Sequence, residues 1–389
     1  MKNKSIALQL IPIMLAFFAM GAVDLVGTVT DSIKEENIIK LSSTMSGLFP
    51  FMVFFWFFVF SVPTGLLMSK IGRRKTVLLS LFITVLALIV PIISYNLPSM
   101  LISFSLLGIG NTLMQVSLNP LLSNIVSGEK LTSTLTFGQF VKAIASLAAP
   151  FIAEKAALIA GDWHLLFPIY AAMAILALVF LWTSKIEEAP YNNKQPSFIG
   201  CFRLLGKWQI LLFFIGIMAH VGIDVGINVN IPEILRERIP ELVLNPKRAI
   251  MVYFLFRLIG CLSGTFILAR FSIPKFFFIS VICMALSVIG LFFASNLILI
   301  YVCIALVGFG NSNIFPIIFS KAIQSLPERD NEISGLMIMG ISGGALFPLL
   351  MGVASGILQS QIGTVIVLAT LVIYLFFLFP FIAKSSVRK

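Results

Sequence analysis

Twelve apolar stretches, each of about 20 residues or more, take up nearly all of this 389-residue chain. They run at about 6–30, 43–69, 75–95, 98–125, 132–157, 163–184, 208–232, 247–269, 274–294, 297–324, 332–357 and 361–383. Inside a bilayer no water is available to backbone N–H and C=O groups, so each stretch must close its own hydrogen bonds. Runs this long and without strict alternation do so as helices, which excludes the strands of a membrane barrel. The predicted fold class is an all-α membrane protein of twelve transmembrane helices. Composition agrees: 59% of residues are hydrophobic and 11% charged, against about 25% charged in soluble domains. A water-soluble fold would expose more apolar surface than solubility allows.

The longest polar stretch separates six apolar runs from six. The expected organisation is an N-terminal six-helix half at 1–184, a cytoplasmic linker at 185–207 and a C-terminal six-helix half at 208–389. Met1 to Lys4 leads directly into the first run without a small-residue cleavage site, which predicts an uncleaved first helix. A net charge of +11 would suit a nucleic-acid partner, but the basic residues sit in short connections, so no nucleic acid is expected. Lys34, Lys40, Lys155, Arg236, Arg238, Lys247 and Arg248 fall on one side, and Lys142 and Arg257 fall inside helices. The other 18 of the 27 basic residues share a side with both termini. The positive-inside rule therefore places both termini in the cytoplasm and the chain in the inner membrane.

Cys201, Cys261, Cys283 and Cys303 have no metal-ligand spacing and read as small hydrophobes. The sequence shows no nucleophile–base set, metal-ligand cluster or phosphate-binding loop, so no enzyme, metal or cofactor is expected.

Shifting the chain by 200 residues aligns its halves. Leu106-Leu107-Gly108-Ile109-Gly110-Asn111 falls on Leu306-Val307-Gly308-Phe309-Gly310-Asn311, Ala22-Val23-Asp24 on Gly222-Ile223-Asp224, and Lys75 on Lys275. Three matches at one offset, each pairing helix n with helix n+6, point to an internal repeat.

An ionisable residue at mid-helix costs several kcal/mol unless it faces a cavity or a partner. Four stand out: Asp24, Lys142, Asp224 and Arg257, in the first, fifth, seventh and eighth helices. Polar stripes accompany them. Asn111, Gln115 and Asn119 recur every four residues and share one helix face, as do His220, Asp224 and Asn228. Gln139, Lys142 and Ser146 fall at i, i+3 and i+7. Such stripes suit a hydrated cavity, although membrane Asn and Gln also bridge helices, the favoured reading for Asn111 or Asn311 alone. An Asp224–Arg257 pair that holds the two halves closed is a second structural reading. Trp56 and Tyr253 are candidate stacking rings.

Parallel six-helix repeats resemble the two halves of a major facilitator transporter. Pro63 to Lys75, with Gly65, Gly72, Arg73 and Arg74, resembles the superfamily's loop between helices 2 and 3, with Ser69 and Lys70 where an Asp is usual. That departure implies a loop gate that is weaker or uses another acid. More specifically, the chain resembles the fucose–galactose–glucose proton symporters. Gln115-Val116-Ser117-Leu118-Asn119-Pro120 is similar to that family's helix-4 motif and Gln139-Phe140-Val141-Lys142 to its Gln-x-x-Asn motif. Val221 to Asp224, Arg257 to Gly260, Asn313 to Pro316 and Gly343 to Gly352 extend the likeness over nearly the whole chain.

The resemblance implies proton-coupled uptake of a small-molecule monosaccharide by a monomer in a lipid bilayer. Asp24 matches the family's proton-carrying acid, with Gln115, Asn119 and Gln139 on sugar contacts. Asp224, Asn228, Arg257, Asn311 and Asn313 are the candidate substrate residues of the second half. Lys142 departs from the family's neutral Asn. Paired with Asp24 it favours the ionised carboxylate, so protonation would compete with the ion pair and act as a coupling switch. Unpaired, it would attract a carboxylate, making the substrate an acidic sugar or organic anion. Proton-driven efflux of amphiphiles is a further alternative, and it calls for a more apolar cavity.

Overall fold

The computed structural model describes residues 2–36, 39, 43–184, 186, 188, 198–239 and 247–384. All regular structure among them is helical. Twelve helices are long and apolar enough to cross a membrane: α1 (Leu8–Thr30), α2 (Phe49–Ile71), α3 (Arg73–Ile93), α4 (Leu97–Ser123), α5 (Lys130–Ala160), α6 (Trp163–Thr183), α7 (Trp208–Arg238), α8 (Ala249–Arg270), α9 (Ile273–Phe293), α10 (Leu297–Ser325), α11 (Pro327–Leu358) and α12 (Ile362–Ala383). They match the twelve apolar stretches one for one. This is a multi-pass membrane protein.

Two compact units make up the chain. The first comprises Met1–Ser127, Gly138–Phe202 and Glu328–Met339; the second comprises Gly128–Phe137, Arg203–Pro327 and Gly340–Lys389. The beginning of α5 thus belongs to the second unit and the beginning of α11 to the first. Of the expected linker, residues 185, 187 and 189–197 lie outside the described residues. In the first unit α4 packs on α2 and α3, and α6 packs on α1 and α3; in the second, α10 packs on α8 and α9, and α12 on α7, α9 and α11.

The 200-residue repeat is also a repeat of contacts. A Cβ on Gly108 would stand 2.6 Å from the Val53 carbonyl oxygen, and one on Gly308 2.6 Å from that of Tyr253. Absence of a side chain there lets α4 press on α2 and α10 on α8, as small residues do in membrane helix pairs. Asn96 and Asn296 each cap a helix, accepting the N–H of Ser99 at 3.0 Å and of Leu299 at 2.8 Å. Asn111 donates to the Met20 carbonyl at 2.7 Å, and Asn311 to the His220 carbonyl at 3.2 Å.

Regularity fails at chosen places. α1 is interrupted by a 3₁₀ turn at Gly21–Asp24, α10 between Asn311 and Ile314, and α11 at Gly340–Ser342. α7, the repeat partner of α1, runs unbroken through Asp224.

Candidate functional site

In the first unit the site begins with a close approach. A Cβ on Gly21 would stand 2.6 Å from Ala145 Cβ and 2.9 Å from the Lys142 carbonyl, so α1 and α5 touch at backbone level. The 3₁₀ turn that follows sets Asp24 against α5, where Oδ2 accepts the Ser146 hydroxyl and lies 3.7 Å from Lys142 Nζ. Asp24 is 41% exposed and Lys142 16%. An exposed acid therefore stands beside one half-buried cation. Gln139, one turn before Lys142, is half-buried.

The α4 stripe lies deeper. Gln115 Nε2 donates to Asn111 Oδ1 at 2.7 Å, and Asn111 passes its own donor to Met20 at the edge of the 3₁₀ turn. Asn119 Nδ2 donates to the Gln115 carbonyl at 2.8 Å, while its buried Oδ1 has no partner among the described residues. Asn111 therefore bridges α4 to α1. Gln115 and Asn119 keep unspent acceptor capacity behind it.

The second unit carries a more tightly knit cluster. Arg257 Nη1 on α8 reaches both oxygens of Asp224 on α7, at 2.8 and 2.7 Å, and the Tyr253 hydroxyl donates to Oδ1. Asn311 Nδ2 reaches Tyr253 Oη at 3.4 Å, and its Oδ1 lies 2.7 Å from His220 Nδ1. Asn228 donates to the Asp224 carbonyl and Asn313 to the Gly260 carbonyl, each at 2.8 Å or less, and in both the side-chain oxygen is buried without a partner among the described residues.

Two readings change. The Asp224–Arg257 pair joins α7 to α8 inside one unit, so it holds a half together and not one half to the other. Tyr253 is fully buried, its hydroxyl held by Asp224 and Asn311, so its ring presents no open stacking face.

Glu188 carries no sequence signal, yet it organises the basic turn. Gly72 at φ 90° ends α2 and lets α3 start at once. The Glu188 carboxylate then accepts the N–H of Arg73 at 2.6 Å and of Arg74 at 2.8 Å, satisfying orphan donors at the positive end of the α3 dipole. Arg73 bonds the Pro120 carbonyl, Asn124, Asn331 and Asp330, and Arg74 caps α6 through the Leu181 and Trp182 carbonyls. Glu188→Gln is expected to cost about 0.5–1 kcal/mol, a fall of roughly 1–2 °C in the unfolding midpoint. An unchanged midpoint in detergent or nanodiscs would show that the cap contributes nothing.

The sequence pattern of the Major Facilitator Superfamily matches residues 12–348. A glucose/galactose transporter of Brucella abortus biovar 1 is 25% identical over 340 residues, covering 82% of this chain and 80% of that protein. The L-fucose-proton symporter of Escherichia coli K12 is 24% identical over 367 residues, covering 82% of this chain and 81% of that one. The crystal structure of the E. coli fucose:proton symporter superposes with a TM-score of 0.79 at 16% identity, over 95% of this chain and 97% of that one. At that identity the structural likeness speaks for the fold alone.

Proposed function

The chain belongs to the Major Facilitator Superfamily, and from that membership we propose that it imports a monosaccharide, a hexose or deoxyhexose, by proton symport with alternating access. It works as a monomer in the inner membrane with both termini in the cytoplasm, as the distribution of Lys and Arg favours. The observation that carries the reading is Asp24, exposed and facing Ser146 and Lys142 at the break in α1. Relatives named as sugar transporters support the substrate class.

Asp24 takes a proton from outside, loses its charge and releases Lys142. Sugar hydroxyls then bond Gln115, Asn119 and Gln139 in the first unit. The second unit offers Asp224, Asn228, Arg257, Asn311 and Asn313. Discharge of Asp24 inward re-forms the ion pair. An acidic sugar or organic anion is the second reading. Lys142 and Arg257 each already face a carboxylate of their own unit, which favours a neutral substrate.

The test is external pH in lightly buffered, energy-depleted cells as single sugars are added. Alkalinisation with one neutral hexose is expected. A response confined to uronic or sialic acids would recast Lys142 as a substrate ligand. Silence with every sugar would overturn the proposal.

A further inference from the structure

A second cluster of ionisable groups lies in the first unit, outside the substrate residues and used by no step above. After the break at Gly21–Asp24 the helix runs from Leu25 past the apolar span of α1 to Glu36, its outer end. There the Glu36 carboxylate accepts the Tyr95 hydroxyl at 3.0 Å and Trp163 Nε1 at 3.2 Å, and it faces His164 Nε2 at 3.7 Å. His164 Nδ1 lies 2.6 Å from Asp162 Oδ1, which also accepts the His164 main-chain N–H at 2.9 Å. Stacking completes the arrangement. The imidazole lies over the Trp163 indole at 4.2 Å and 26°, with the Tyr95 ring edge-on at 4.4 Å.

We propose that His164 is a positioning residue, a proton-responsive anchor that ties the outer end of α1 to the α5–α6 turn and so sets the 3₁₀ turn that carries Asp24.

A neutral imidazole has one N–H and can serve Asp162 or Glu36 but not both. Nε2 is buried and has no hydrogen-bond partner among the described residues. Only the imidazolium presents a donor to each carboxylate, and a cation over an indole face is itself attractive. Glu36 from the end of α1, Asp162 beside the ring and Tyr95 from the α3–α4 turn are the ionisable groups in contact with the imidazole among the described residues. Burial, then the Glu36 hydrogen bond, pushes the Tyr95 hydroxyl well up, and the His164 backbone N–H holds the Asp162 carboxyl below its ordinary value. Tyr95 thus stays neutral and Asp162 ionised between about pH 5 and 8, the window in which histidine changes charge.

The sign follows. The anchor is a base that gains partners on protonation, so it is complete at low pH and loses its Glu36 contact as pH rises. The break at Gly21–Asp24 is a mid-helix 3₁₀ turn, a natural hinge, so the held outer segment and the turn move together. Its value to uptake rests on the proposed proton symport and on this end facing outward.

Tryptophan emission tests the anchor without any sugar, because a protonated imidazole quenches an indole stacked on it. Purified protein is expected to lose emission reversibly from pH 8 to pH 5, and His164→Gln to lack that component. Equal pH responses in the two proteins would overturn the proposal. Should His164→Gln fail to fold, Glu36→Gln, which leaves an acceptor for Tyr95 and Trp163, is expected to shrink the same component, and an unchanged one would be equally fatal. Initial uptake is then compared at external pH 5.5 and 7.5. His164→Gln is expected to lose up to about fivefold of the acid-side advantage, the scale of a partly exposed ion pair. A pH ratio equal to that of the unaltered protein would refute the positioning role. If the emission change appears but no sugar is carried at either pH, the anchor stands and the transport reading falls.

Discussion

Asp24→Asn is expected to abolish sugar accumulation while leaving sugar exchange intact. Asparagine matches the protonated acid in size and still meets the Ser146 hydroxyl, but it cannot gain or lose a proton. It also frees Lys142 permanently, so the variant mimics one stage of the cycle. At 100 mV, one proton entering per sugar supplies about 2.3 kcal/mol, enough for roughly 50-fold accumulation. The variant should equilibrate sugar to about onefold and give no alkalinisation, with counterflow of labelled sugar preserved. Accumulation against a gradient by Asp24→Asn would remove Asp24 from the coupling step.

Arg257→Leu is expected to be the most damaging single change to the second unit. Arg257 and Asp224 are 22% and 16% exposed, and the carboxylate is oriented further by Tyr253. Removing the guanidinium strands an ionised acid in a poorly hydrated place, at a cost of about 3 kcal/mol. Pairing the change with Asp224→Asn removes the stranded charge, so the double variant should recover most of the thermal stability and yield. If the single and double variants unfold together, the ion pair does not stabilise the unit. A double variant that folds but carries no sugar would place the pair in transport as well as in structure.

Much of this was legible in the letters, for stated reasons. A bilayer permits few backbone solutions, so run length alone located all twelve helices to within a few residues at most ends. Lone charges in apolar runs must be neutralised, which pointed to Asp24 with Lys142 and Asp224 with Arg257, and the structure brings each pair together. The offset of 200 residues singled out Asn111 and Asn311, which make the same bond to the first helix of their own half. What stayed hidden depends on contacts distant in sequence. Glu188 reaches the start of α3 from 115 positions away, and no local pattern announces it. The Glu36–Tyr95–Trp163–His164 cluster gathers from three separate helix ends. The 3₁₀ turn at Gly21–Asp24 contains no proline, and it coincides with the backbone contact between Gly21 and α5.

The two acids of the repeat, Asp24 and Asp224, sit on mechanically unlike supports. One lies on a jointed lever and the other on a continuous rod. A change of charge at the joint can be absorbed by a few degrees of bend, whereas the same change on the rod has to be transmitted along its whole 31-residue length. The repeat gives two helices of like origin, and only the first of them places its acid at a break in the helix that carries it.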